Sequence, residues 1–158
     1  MGMLNNATRG RHSPDRGASL VEFALVAPLL ILLLFGIIEI GWMFSQNLDV
    51  RHGAREGARL AAVNFPDGPG ATGARTAANA EDLVAEICTR MQTVSNASVS
   101  LQSSGSVGDS GSATVNAPGD TLSGLLDWML PAGFELTSSV DIRIEQPSTW
   151  ANISDEPC

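Results

Sequence analysis

The apolar residues of this chain are concentrated near its N-terminal end. From Phe23 to Ile38 no residue carries a charge, and past Glu39 the apolar character resumes through Ile40, Trp42, Met43 and Phe44. A bilayer core of about 30 Å is crossed by roughly 20 predominantly apolar helical residues, so Phe23 to Phe44 is long enough to span it. A secretory signal peptide has a shorter apolar core followed by a small-x-small cleavage site, and no Ala-x-Ala-like site follows Phe44. A buried helix of a soluble protein fits this length less well. Pro28, inside the run, removes one backbone hydrogen bond and predicts a kink of the kind that packed membrane helices tolerate. Beyond Phe44 the helix is expected to continue from Ser45 to about Val63, because no proline interrupts it before Pro66.

The pattern then changes period. Asn64 to Gly70 holds two Pro and two Gly and reads as a loop. From Thr76 to Val94, Ala80, Leu83, Val84, Ile87, Met91 and Val94 recur at helical spacing with Glu81, Asp82 and Glu86 facing outward, an amphipathic helix whose apolar face needs cover. Alternation at Ala97 to Leu101, Ala113 to Ala117 and Glu135 to Glu145 predicts strands. Thr121 to Leu130 reads as a short helix ended by Pro131, and Ser103 to Ser112 as a flexible Gly/Ser-rich hairpin loop. The expected fold is α+β: a long N-terminal transmembrane and stalk helix, then a small head with about three antiparallel strands packed on a helix.

Length and charge narrow the function. The 158 residues suffice for one modest domain plus an extra segment. With 17 acidic residues against 9 basic ones the chain repels phosphate backbones, and nucleic-acid binding through a basic groove has little support. All the basic residues are Arg and there are only two His, so a Lys amine and a paired-His scheme have no residues to use. Gly108-Asp109-Ser110-Gly111 mimics the nucleophile segment of chymotrypsin-like proteases. A Ser nucleophile needs an oriented base, however, and His12 and His52 lie in the leader and on the stalk. Cys88 and Cys158 stand far apart with no Cys-x-x-Cys or His-x-x-x-His grouping. No catalytic residue, metal site, cofactor or small-molecule substrate is expected.

Two segments around the apolar run carry signals of their own. Met1 to Arg16 is polar, rich in Asn and Arg, lacks an apolar face and reads as a disordered leader ending at Arg16-Gly17. Arg9, Arg11 and Arg16 before the span balance Arg51, Arg55 and Arg59 after it, so charge alone leaves the orientation tied. Arg51, Arg55 and Arg59 recur every four residues as a basic stripe, suited to acidic lipid heads, to a partner's acidic face or to solvent, with Glu56 placed to pair with Arg59. Gly53-x-x-x-Gly57 and Ala54-x-x-x-Ala58 offer small surfaces that another helix can approach closely.

A basic leader, a Gly, a Glu at the fifth position after it and an adjacent Phe before a long apolar helix resemble the class III signal of type IV pilin-like proteins, cut after the Gly by a membrane prepilin peptidase. More narrowly, Arg16-Gly17-Ala18-Ser19-Leu20-Val21-Glu22-Phe23-Ala24-Leu25-Val26-Ala27-Pro28 resembles the opening of the TadE-like family, the pseudopilins of tight-adherence (Flp-type) pilus systems. Phe35-Gly36-Ile37-Ile38-Glu39-Ile40-Gly41 and Ala54-Arg55-Glu56-Gly57-Ala58-Arg59 resemble its continuation, so the resemblance covers Arg16 to about Ala62.

The resemblance implies a leader at 1–17, a membrane and stalk helix at 18–63 and an extracytoplasmic head at 64–158. It also implies a cut between Gly17 and Ala18, a cytoplasmic N-terminus and an anchor in the bacterial inner membrane. The role it implies is structural, in pilus biogenesis, adhesion and biofilm formation. The implied partners are the prepilin peptidase, other pilins and pseudopilins, and inner-membrane assembly proteins. The rival is a single-span envelope adhesin or binding module that keeps its leader. Glu22 lies roughly 6 Å along a helix axis from the amine that the cut would create on Ala18. It can pair with that amine on a neighbouring subunit and fix the register of packed helices, sit at the headgroup boundary, or serve peptidase recognition. For Glu39, near the opposite membrane face, snorkelling to water is favoured slightly over interhelical pairing. A head outside the inner membrane meets an oxidising environment, where Cys88 and Cys158 are expected to join; the alternative is a core Cys88 and an intermolecular Cys158.

Overall fold

The computed structural model describes residues 15–124, 127, 128 and 130–158. The expected leader therefore lies, up to residue 14, outside the described residues, as do Leu125, Leu126 and Met129 of the expected short helix. The first element, α1, is a 48-residue helix, Asp15–Ala62, with Pro28 inside it. Its C-terminal end is set by Asn64, which takes the left-handed conformation at φ 60°. The amide of Phe65 donates back to the Leu60 carbonyl at 3.1 Å, so one of the helix's last carbonyls is satisfied.

The chain divides into two compact units, one ending at Ile38 and the other Glu39–Cys158. In the first, α1 stands without tertiary cover, and every large apolar side chain from residue 23 to residue 38 is 44–74% exposed.

The second unit has an ordinary core, and the second half of α1 forms one wall of it. Val50, Ala54, Ala58, Leu60 and Ala61 are buried there, together with Ala80, Leu83, Val84 and Ile87 of helix α2, Ala77–Thr89. The Thr76 hydroxyl caps α2 by accepting from the Asn79 amide at 3.2 Å. Strands β1 (Ser98–Ser103), β2 (Ser110–Pro118), β3 (Glu135–Arg143) and β4 (Ile153–Pro157) make one antiparallel sheet in the order β3-β2-β1-β4. Registers such as Leu101↔Ala113 and Ala117↔Leu136 place buried residues opposite one another. The intervening positions, including Ser100, Thr114 and Ser139, stay on the other face, the period-2 division that a half-buried sheet requires.

The sequence predicts about three strands and the structure has four. The added β4 reads Ile-Ser-Asp-Glu-Pro and carries no alternation. It pairs with β1 through a register shift between Val99 and Leu101 and through Asp155 at φ 52°, whose amide donates to the Ser100 hydroxyl at 2.9 Å. A bulged edge strand ending in Pro157 needs no apolar pattern, so none exists to be read. The described residues of 121–130 form bends and turns in place of the expected short helix. The amphipathic helix is shorter at its C-terminal end than its pattern, because α2 stops at Thr89 and Met91 enters the core from beyond it.

Two devices hold α2. Cys88 and Cys158 form a disulfide with their Cα atoms 5.5 Å apart, joining α2 to the end of β4. The small face of α1 lets α2 come close: a Cβ at Gly57 would lie 2.9 Å from Ile87 Cδ1 and 3.7 Å from Ala113 Cβ, and one at Gly53 2.6 Å from Met91 Sδ. Trp150, fully buried, seals the far end by donating from its indole nitrogen to the Ala61 carbonyl at 3.3 Å.

Two outcomes are expected. Gly57→Val should destabilise the full chain by about 1–3 kcal/mol, because Ile87 is enclosed and cannot retreat. Gly53→Val should cost less, because flexible Met91 can move. Denaturant titration in detergent checks this, and equal losses at the two sites would contradict it. Reducing the disulfide, which closes a 70-residue separation, should remove up to about 4 kcal/mol, read as a lower unfolding midpoint in dithiothreitol.

Candidate assembly interface

The residues of the predicted cleavage and assembly site all lie on the uncovered part of α1. Gly17 has open space where a Cβ would stand, and Ala18 and Glu22 are exposed. Four residues apart, Ala18 and Glu22 share one side of the helix, separated by about 6 Å along its axis. Around and beyond them α1 presents apolar side chains on all sides, a surface that water does not tolerate and that lipid or neighbouring apolar helices would cover. One helix of the described chain is long and apolar enough to cross a membrane, which fits a single-pass membrane protein.

From Glu39 onward the helix has two faces. Glu39 is 1% exposed, so the preference for a snorkelling carboxylate is corrected: the head's own backbone reaches it. The Leu122 amide donates to Oε2 at 2.9 Å, the Ser123 amide to Oε1 at 2.7 Å, and the Ser123 hydroxyl also donates to Oε1. Two turns on, buried Gln46 makes a reciprocal pair with the Asp120 backbone: its Nε2 donates to the carbonyl at 2.9 Å and its Oε1 accepts from the amide at 3.1 Å. Asp49 Oδ2 accepts from the amides of Gln92, Thr93 and Val94 at 2.8, 2.7 and 3.3 Å and from the Thr93 hydroxyl at 2.9 Å. Asn64 Oδ1 accepts from the Thr149 amide at 2.7 Å. These four side chains supply acceptors to loop amides that no ladder satisfies, so each fixes a head loop to the α1 segment.

The stripe expected at Arg51, Arg55 and Arg59 is exposed, while Gly53, Ala54, Gly57 and Ala58 are turned into the core. The small residues are thus faced within the chain, Gly57 by Ile87 of α2 and Gly53 by Met91 just beyond it. Arg59 pairs with Glu56 at 2.6 Å, and Arg90, from the end of α2, reaches the same carboxylate at 3.2 Å. The hydrogen bond from Arg59 holds the Glu56 carboxyl below its ordinary pKa; partial burial opposes this, and the charges of Arg59, Arg90 and His52 assist. Among the described residues Arg51 and Arg55 make no ion pair, which leaves two cations on the outer face of the helix. Ser110, of the protease-like tetrapeptide, opens β2 at the surface, and His52 is exposed on α1.

Sequence reasoning missed Glu39 as a buried anchor, and with it Gln46, Asp49, Asn64 and Trp150. The one available signal was spacing: Glu39, Gln46, Gly53 and Leu60 recur every seven residues, so a core-facing seam continues through polar residues.

Residues 17–59 match the family model of the TadE-like proteins, a structural, pilus-associated family not known for enzymatic activity. The match suggests involvement in Tad pilus systems and runs from the predicted cleavage site to the outer end of the basic stripe. Comparison with curated proteins and with solved structures gave no match.

Glu56 offers a pH test. Its pKa is depressed in the folded chain, so its contribution to stability is present above the unfolded carboxyl value of about 4.3 and is lost as pH falls through the folded value. Glu56→Gln should therefore lower the thermal midpoint at pH 7, and the gap to wild type should close progressively as the pH is taken below the unfolded carboxyl value. A gap that stays constant with pH would show that the pairing does not act through the charge.

Proposed function

We propose that this TadE-like chain is a minor pseudopilin of a tight-adherence pilus assembly system, with a structural role in pilus biogenesis and, through the pilus, in adhesion and biofilm formation. The observation that carries the reading is the coincidence of the family match over 17–59 with a helix whose apolar surface is uncovered up to Ile38 and whose later turns are built into a head. In this reading residues 1–17 are the leader, 18–63 the membrane and stalk helix, and 64–158 the extracytoplasmic head. The N-terminus faces the cytoplasm across the inner membrane, and the Cys88–Cys158 bond supports an oxidising compartment for the head.

A prepilin peptidase cuts between Gly17 and Ala18, where the absence of a side chain leaves the backbone accessible. The new Ala18 amine then meets a Glu22 carboxylate in the low dielectric of packed helices, on a neighbouring pilin or pseudopilin, and sets the axial register between them. The Arg51 and Arg55 guanidiniums face outward and are available to an acidic partner in the assembly complex.

The test is N-terminal sequencing and pilus yield in producing cells. Wild type should begin at Ala18, and Gly17→Leu should keep its leader. Glu22→Gln should be cut yet lower pilus yield by about tenfold or more, the equivalent of about 1.4 kcal/mol in an assembly equilibrium. Mature protein that still begins at Met1 would overturn the pseudopilin reading in favour of a leader-retaining envelope protein. Normal piliation by Glu22→Gln would remove the pairing role alone.

A further inference from the structure

Few large apolar side chains of the head lie open to solvent. Outside α1, the exposed ones among the described residues are Val107, Leu122 at 55% and Trp128 at 83%. Leu122 and Trp128 belong to the same connection, between β2 and β3, whose position along α1 is fixed by two clamps. Gln46 holds the Asp120 backbone and Glu39 holds Leu122 and Ser123. Seven helical residues separate those clamps, so between Asp120 and Ser123 the connection descends about 10 Å along α1 toward Ile38, the last residue of the uncharged run. Beside it an open, mainly apolar groove is lined by Ile40, Met43, Phe44, Leu130, Phe134 and Leu136, with Asn47 its one polar residue.

We propose that Leu122 and Trp128, with this groove, form an interfacial foot that enters the headgroup–acyl boundary of the bilayer beside the helix. The inference rests on α1 crossing the membrane. Continuity selects lipid as the occupant, since the foot is bonded to the first residue after the uncharged run. Its chemistry agrees. Trp prefers the membrane interface, where its ring is apolar and its N–H is wet. Between Asp120 and Glu135 the only charged residue is Asp127, whose carboxylate accepts a hydrogen bond from the Thr121 hydroxyl. No Arg lies in that stretch, so attraction to the surface is apolar and does not need anionic lipid. Glu39 gains a reason to be buried: three donors cover its carboxylate, so the helix can be immersed as far as Phe44 without presenting a bare charge to the acyl chains.

The test uses the full chain in phosphatidylcholine nanodiscs. Both native Cys are in the disulfide, so one introduced Cys carries a nitroxide. Labels at Leu122→Cys and Trp128→Cys should show headgroup-depth protection from a water-soluble nickel complex and collide with oxygen, between the values of Leu30→Cys in the span and Thr137→Cys on the head. Labels at 122 and 128 as nickel-accessible as the one at 137, with the one at 30 in lipid, overturn the foot and leave the span intact. A label at 30 in water overturns the span and the foot with it. A second measurement keeps Trp128: the emission difference between wild type and Trp128→Phe should be quenched by lipids brominated near the headgroup. Protection without bromolipid quenching assigns the patch to a protein neighbour and overturns the proposal.

Discussion

Gly53 and Gly57 bring the α1 backbone so near Met91 and Ile87 that a single added carbon would collide with either side chain, and the head depends on that approach. A small sheet with one apolar face needs a second layer. Here α2 supplies part of it, and α1 supplies the rest by turning a seam of small residues inward: Gly53, Ala54, Gly57, Ala58 and Ala61. Small residues bury little apolar surface each, but they allow close backbone approach, so the larger side chains of α2 and β2 fill the space. The same helix therefore has two surroundings: up to Ile38 its apolar side chains are uncovered, and from Val50 onward its buried residues form a wall of the head's core.

Polar side chains on that wall do what apolar packing cannot. Glu39 and Gln46 bind backbone amides of the β2–β3 connection, Asp49 those after α2 and Asn64 that of Thr149, so the register of three loops on the helix is set by directional bonds. Truncating Asn64 would leave the buried Thr149 amide unsatisfied, at roughly 1–3 kcal/mol.

The parts of the fold that were legible in the sequence follow simple periods. Sixteen uncharged residues, the 3.6-residue pattern of α2 behind Thr76, and the alternation of β1, β2 and β3 each predict their element. The Cys pair was legible from its count. What escaped are features without a period. β4 is held by edge pairing and a bulge, Trp150 sits in an irregular stretch, and Glu39 looks like a charge in need of water until the Leu122 and Ser123 amides are found beside it. The Gly53-x-x-x-Gly57 spacing marks a face of small residues, but spacing alone does not tell that Ile87 and Met91 of the same chain lie against it.

The central claim is that the second half of α1 is a cooperative part of the head's core, and amide hydrogen exchange on the full chain in nanodiscs tests it most directly. Amides of residues 50–61 should exchange only with global unfolding, at the same free energy as those of β1 and β2 and with the same denaturant dependence. Exchange of residues 50–61 through a separate, lower-energy opening, with the sheet still protected, would mean that α1 merely rests against a head that folds without it.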